Sequence, residues 1–140
     1  VRAFFDTSVL VGFASEDHPT HRASYECVTR NTRNAAISVH SLAETYSTLT
    51  GMRGARRFSP DEAILFLEGF ESWFEVIELG TSEYLSTIEA CGSLGITGAA
   101  VYDALIGKCA IKAGASVLYT WNVKDFVRLG PEVAGLVRTP

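Results

Sequence analysis

The stretch Ala3-Phe4-Phe5-Asp6-Thr7-Ser8-Val9-Leu10 decides the fold. Three apolar residues make a short strand fit to be buried on both faces, and Asp6 ends it. The segment Ser8 to Ala14 then reads as a short helix. The same grammar recurs along the chain. Ala35 to Val39, Phe74 to Leu79 and Val117 to Thr120 read as strands followed by helical segments, and Val133 to Val137 as a last edge strand. Strands alternating with helices predict a mainly parallel sheet of about five strands, covered on both faces. In such sheets the polar residues that do chemistry gather beyond the carboxyl ends of the strands.

The helical segments carry their own punctuation. A loop, Ser15 to Pro19, leads to a helix from Thr20 to Thr29. Ser41 to Thr50 has Leu42, Tyr46 and Leu49 at helical spacing, and Gly51 ends it. Ser59-Pro60-Asp61-Glu62 is a helix start, with a Ser cap, Pro in the first turn and Glu at the third position. That helix runs to about Ser72, with Ile64, Leu67 and Phe70 directed inward. A helix opening at Thr81 or Ser82 turns Leu85, Ile88 and Leu94 inward. Ala99 to Ala113 is a helix of small and apolar residues that Gly114 caps, and Val123 to Leu129 makes one turn or two.

Composition bounds the function. The 140 residues are 47% hydrophobic and 20% charged, and area scaling gives them a folded surface of roughly 7,100 Å². One domain spanning 1–140 with a core of its own is expected, which excludes disordered and disulfide-stapled classes. Cys27, Cys91 and Cys109 show neither a disulfide framework nor zinc spacing. No apolar run approaches the length of a membrane span, and the N-terminal residues lack the apolar core of a signal peptide. The cytoplasm is the expected compartment. A net charge of −4 does not hold nucleic acid by bulk attraction, so any such contact needs a local basic patch.

Four carboxylates stand out. Asp6 has an ordinary explanation as a helix N-cap. Glu44, three residues after Ser41, has one as the acid of a capping box. Asp103 lacks one, because it lies in Ala99-Ala-Val-Tyr-Asp-Ala-Leu-Ile-Gly, with no other charge before Lys108. A carboxylate in such a run needs a cation, hydrogen-bond donors or a raised pKa. Asn122 and Asp125 follow the strand ending at Thr120, where a capped turn also explains them. Each of the four acids is read at the end of a different strand–helix unit, so together they would converge on one edge of the sheet. Converging carboxylates repel unless a hard cation such as Mg²⁺ or Mn²⁺ offsets them. The chemistry that follows is hydrolysis of a phosphodiester by a metal-activated water.

At this point the sequence resembles the PIN-domain nucleases of the VapC type, the toxins of bacterial toxin–antitoxin pairs. The segments Phe4-Phe-Asp-Thr-Ser-Val-Leu, Ile37-Ser-Val-His-Ser-Leu-Ala-Glu-Thr, Tyr102-Asp-Ala-Leu-Ile and Thr120-Trp-Asn-Val-Lys-Asp-Phe carry the likeness, in order and over nearly the whole chain. The resemblance implies a three-layer α/β/α sandwich and an endoribonuclease dependent on Mg²⁺ or Mn²⁺. Asp6, Glu44 and Asp103 would be its acidic core and metal ligands, and Asp125 the fourth acid. Thr7, Ser8, Thr120 and Asn122 would be supporting groups. Some PIN proteins have an acid where this chain has Asn122. The resemblance also implies a homodimer, a VapB-type antitoxin partner and a structured RNA substrate, tRNA or rRNA. A housekeeping RNA-processing nuclease and a non-catalytic PIN-like binding module are the alternatives.

Other residues carry less. Arg53, Arg56 and Arg57 read equally as an RNA-backbone contact and as a solvated loop. His18 and His21 read as a surface loop ahead of a metal pair, and His40 as structural. Trp73 and Phe74 read as core. Trp121 reads as packing at the site edge, with stacking on a base as the lesser reading. A phosphatase of the haloacid-dehalogenase kind would need a second Asp where Ser8 stands. A dinucleotide-binding unit would need a Gly-rich turn after the first strand, and a receiver domain would need paired acids early in the chain.

Overall fold

A computed structural model describes residues 2–140. Five strands form one sheet: β1 (Ala3–Phe5), β2 (Ala35–Ser38), β3 (Glu75–Ile77), β4 (Val117–Tyr119) and β5 (Val137–Arg138). Their order is β3-β2-β1-β4-β5, and every neighbouring pair is parallel. Ala3, Phe4 and Phe5 pair with Ala35, Ala36 and Ile37 on one side and with Val117, Leu118 and Tyr119 on the other. The chain first winds outward from β1 to β3, then returns to the other side of β1. The carboxyl end of β1 is therefore the switch point where open sheets of this kind hold their ligands.

Helices α1 (Thr7–Ala14), α2 (His21–Arg30), α3 (Val39–Gly51), α4 (Pro60–Glu68), α5 (Phe70–Trp73), α6 (Thr81–Leu94), α7 (Ala100–Lys112), α8 (Val123–Val127) and α9 (Pro131–Ala134) cover both faces. The period-two alternation of strands divides the core. Ala3, Phe5, Ala35 and Ile37 pack with Val9, Leu10, Cys27, Val28, Phe70 and Phe74 on one side. Phe4, Ala36, Leu118 and Val137 pack with Ile106, Cys109, Ala110, Phe126 and Val133 on the other. The total accessible surface is 7584 Å², close to the value scaling predicts. The three cysteines are buried and unbridged. Among the described residues no helix is long and apolar enough to cross a membrane.

Several sequence expectations are corrected. The N-cap of α3 is Ser38, whose hydroxyl accepts from the His40 N–H at 3.0 Å, so the helix starts before Ser41. Helix α4 stops at Glu68, and α5 is a separate short turn beyond Gly69. Residues 131–134 are a helical turn that Pro131 opens, and the edge strand lies later, at Val137–Arg138. Ile64, Leu85, Ile88 and Leu94 are exposed. Ala63 is the buried residue of α4, and Thr87 and Cys91 are those of α6, because small side chains let these helices sit close to their neighbours. Phe74 is core, but Trp73 is at the surface, 5.6 Å from the Phe13 ring.

Two glycines are fixed by geometry. Gly114, at φ +67°, sits just past α7 in the left-handed conformation, and the Ala115 N–H returns to the Ala110 carbonyl at 3.1 Å. Gly12 lies inside α1 where α2 crosses it. A Cβ there would stand 2.5 Å from both the Ser24 and the Thr20 hydroxyl oxygens. Gly12→Ala should therefore cost about 1–3 kcal/mol, because α1 and α2 must separate to admit it. Urea unfolding checks this: a lower midpoint at unchanged slope is expected.

Candidate active site

Asp6 follows β1 directly, and its backbone N–H extends the β1–β4 ladder to the Tyr119 carbonyl at 3.0 Å. Its carboxylate caps α1 and is 2% exposed. Oδ2 accepts from the Ser8 N–H at 3.3 Å, the Ser8 hydroxyl at 2.7 Å and the Thr120 hydroxyl at 2.8 Å. Oδ1 accepts nothing from the protein and is not sealed off, so it is left for a ligand. Burial raises Asp6 above the usual carboxylate range, outweighing the bonds from Ser8 and Thr120.

The supporting groups form a network around that carboxylate. The Ser8 hydroxyl also accepts from the Trp121 N–H at 3.0 Å, and the Thr120 hydroxyl accepts from the Asn122 N–H at 2.9 Å. Thr7 donates its hydroxyl to Ser41 at 3.0 Å, within the protein. Trp121 is pinned by its indole N–H to the Ser24 hydroxyl at 2.9 Å. Its ring packs against the core while also lining the site.

Glu44 loses the ordinary explanation that the sequence offered. With Ser38 as cap, it lies six residues along and outside any capping box. It is 33% exposed, and Oε2 stands 3.3 Å from His40 Nε2, one turn back. His40 in turn stacks on Tyr102, with ring centroids 5.0 Å apart and planes at 11°. Asp103 lies in the first turn of α7, not after a strand: α7 follows α6 and packs over β2 and α3. The helix brings this acid to the cavity from the layer packed on β2.

Asp6, Glu44 and Asp103 line one open cavity of about 480 Å³, together with Thr7, Ser8, Val11, His18, Thr20, Thr48, Trp121 and Asn122. Asp103 is 25% exposed and is pushed up to about 7 from 3.8, by burial first, then by the charges of Asp6, Asp125 and Glu44. Asp125 does not line the cavity. It is 48% exposed at the rim, with Oδ1 3.7 Å from Arg128, whose guanidinium also stands 3.9 Å from Asp103 Oδ2. In the sequence, the signal for Arg128 is its position three residues after Asp125. His18 reads as a surface loop, and no local motif marks its place in the cavity wall.

Among the described residues, no three His, Cys, Asp or Glu side chains enclose a single point as they stand. Mg²⁺ does not require that, because it binds through one or two carboxylates and keeps several waters. The donor set fits such an ion: all-oxygen ligands, mutual repulsion, and one carboxylate oxygen of Asp6 left free.

The PIN-domain family profile matches residues 3–130. This chain is a PIN domain. Its relatives are VapC proteins. Ribonuclease VapC40 of Mycobacterium tuberculosis is 33% identical over 113 residues, 81% of each chain. Ribonuclease VapC27 of the same organism is 36% identical over 113 residues, 80% of this chain and 79% of that one. Among solved structures, the fold is that of M. tuberculosis VapC20, a sarcin–ricin-loop-cleaving toxin. There the TM-score is 0.75 at 16% identity, covering 94% of this chain and 98% of that one. Rickettsia felis VapBC2, bound to promoter DNA, gives a TM-score of 0.68 at 22% identity, covering 99% and 98%.

The raised pKa of Asp103 has a consequence for the metal-free PIN domain. Between 3.8 and about 7 the carboxyl is ionised in the unfolded chain but still protonated in the fold. The native state then binds more protons, so stability falls as pH rises through that window. Asp103→Asn removes this dependence. Its melting temperature should match wild type near the lower limit and exceed it increasingly toward the upper one. A pH-independent difference between the two proteins would refute the assignment.

Proposed function

We propose that this PIN domain is a Mg²⁺- or Mn²⁺-dependent endoribonuclease, the toxin of a toxin–antitoxin pair. It would cut structured RNA, tRNA or rRNA, and so inhibit translation. The observation that carries the reading is the shared cavity of Asp6, Glu44 and Asp103. Three acids from distant segments face one another at the switch point, at a cost in repulsion that no fold needs for its own sake. The ribonuclease names of the relatives, and the sarcin–ricin loop that VapC20 cleaves, support the substrate class.

In this reading Asp6 and Asp103 would hold the cation, with Glu44 and Asp125 as further ligands or water-orienting groups. A cation held there would lower the pKa of a bound water and offset charge on the phosphoryl oxygens. Thr120 and Ser8 keep the Asp6 carboxylate in one orientation, so its free oxygen always faces the cavity. Glu44, one turn after His40, lines the cavity where it would orient the attacking water. Arg128 draws Asp103 and Asp125 toward each other and limits their repulsion. Asn122, whose backbone is tied to Thr120, lines the cavity as a neutral group where some PIN proteins carry an acid. The partner is a VapB-type antitoxin, for which an acidic cavity on a chain of net charge −4 offers a seat for a basic side chain. The homodimer implied by the resemblance belongs to the same proposal, as does a cytoplasmic location.

Purified protein should release discrete fragments from total tRNA or ribosomes with Mg²⁺ or Mn²⁺ and none with EDTA. Asp6→Asn and Asp103→Asn should abolish cleavage while melting no lower than wild type. A variant that unfolds would make its acid structural and sink the assignment. Thr120→Val should weaken Mn²⁺ binding by roughly 10–100-fold, since it removes the group that orients Asp6. Titration calorimetry reads that directly.

A further inference from the structure

A second cavity, also about 480 Å³, adjoins the first, and its lining is His18, Met52, Arg53, Ala55 and Arg56. His18 lines both. One imidazole is therefore the wall between an anionic hollow and a cationic one. The arginine loop has a defined shape. The Phe58 N–H closes it onto the Leu49 carbonyl at 3.0 Å, and Phe58 and Met52 pack against the Leu49 cluster. Gly54, at φ +66°, makes its turn. Arg57 folds back, its Nε donating to the Met52 carbonyl at 2.8 Å, which leaves Arg53 and Arg56 to the cavity.

The state of His18 follows from its partner. The Thr20 N–H donates to Nδ1 at 3.1 Å, and a backbone amide can only donate, so Nδ1 carries no proton. The Thr20 hydroxyl, 2.8 Å away, donates to it as well. Burial, then the charge of Arg56 and the nearness of His21, hold His18 below its ordinary 6.5, so the ring is neutral at physiological pH. Its one proton therefore sits on Nε2. An N–H cannot ligate a metal, and the Nδ1 lone pair of His18 is already taken by Thr20, so His18 in this state does not pair with His21 around an ion. His18 is a neutral hydrogen-bond donor beside two guanidiniums.

We infer that His18, Arg53 and Arg56 form a phosphate subsite for the RNA strand, seating a backbone phosphate next to the one cut in the acid cavity. The inference rests on the nuclease reading and adds the path of the substrate. Guanidiniums bind phosphate oxygens bidentately, and a neutral N–H adds direction without competing for the cation. An acidic protein must hold a polyanion by such a local patch. A flanking phosphate fixed there would position its neighbour over Asp6 and Asp103.

The test is fluorescence anisotropy with a labelled single-stranded oligoribonucleotide of about 12 nucleotides, at low ionic strength in EDTA. Arg53→Gln with Arg56→Gln should weaken binding and reduce the slope of log K against log salt by about 0.7, the share of one single-strand phosphate contact. His18→Ala should weaken binding roughly tenfold, and His18→Gln, which keeps an N–H donor, should restore most of it. In cleavage, the arginine variant should raise KM with kcat within about twofold of wild type. Unchanged affinity and salt slope in the arginine variant would overturn the subsite, as would a fall in kcat alone. Wild-type cleavage unaffected by all three changes would leave the nuclease reading standing without the subsite. Weakened binding in the variants, with no metal-dependent cleavage by wild type, would keep the subsite and remove the catalytic reading.

Discussion

The hydrogen bonds that converge on Asp6 Oδ2 hold the site to the fold. One donor group comes from the start of α1 and the other from the end of β4, residues more than a hundred apart in sequence. The carboxylate thus closes the switch point from both sides. Satisfying a nearly buried acid with three donors offsets much of what burial costs it. The other oxygen has no donor within the protein, and burial together with the nearby acids raises Asp103 across the same cavity.

The electrostatics divide the surface into two neighbouring regions. Asp6, Glu44 and Asp103 make one of them negative. Arg53 and Arg56 make the next positive, and Arg128 stands between Asp103 and Asp125. A chain with a net charge of −4 thus sets two arginines beside its acidic cavity. Whole-chain charge is a poor guide to such a surface, because the field near a cavity is set by groups within a Debye length of about 10 Å.

The strands were legible because burial on both faces leaves a run of apolar residues that little else produces. Phe4 and Phe5 point to opposite layers, and both are core. Asp103 was legible for a related reason, as a charge in an apolar run. Helix orientation was harder to read. In α6, Leu85, Ile88 and Leu94 have helical spacing, yet Thr87 and Cys91 face the body. Spacing marks a stripe but does not say which stripe turns inward when a close neighbour demands small residues. Ser38 and Ser41 are both able caps, and only the end of β2 chooses between them. His18 reads as a surface loop because tertiary packing, not local pattern, brings it to the acids.

The position of β4 between β1 and β5 bears on how the protein is made. During synthesis the N-terminal strands and helices leave the ribosome first, while the segment that flanks β1 on its other side is still unmade. Until Thr120 has emerged, Asp6 lacks its donor from β4, and the cavity lacks the wall that Trp121 and Asn122 supply. The cavity therefore closes late, once the strand that pairs with β1 on its second side has been added.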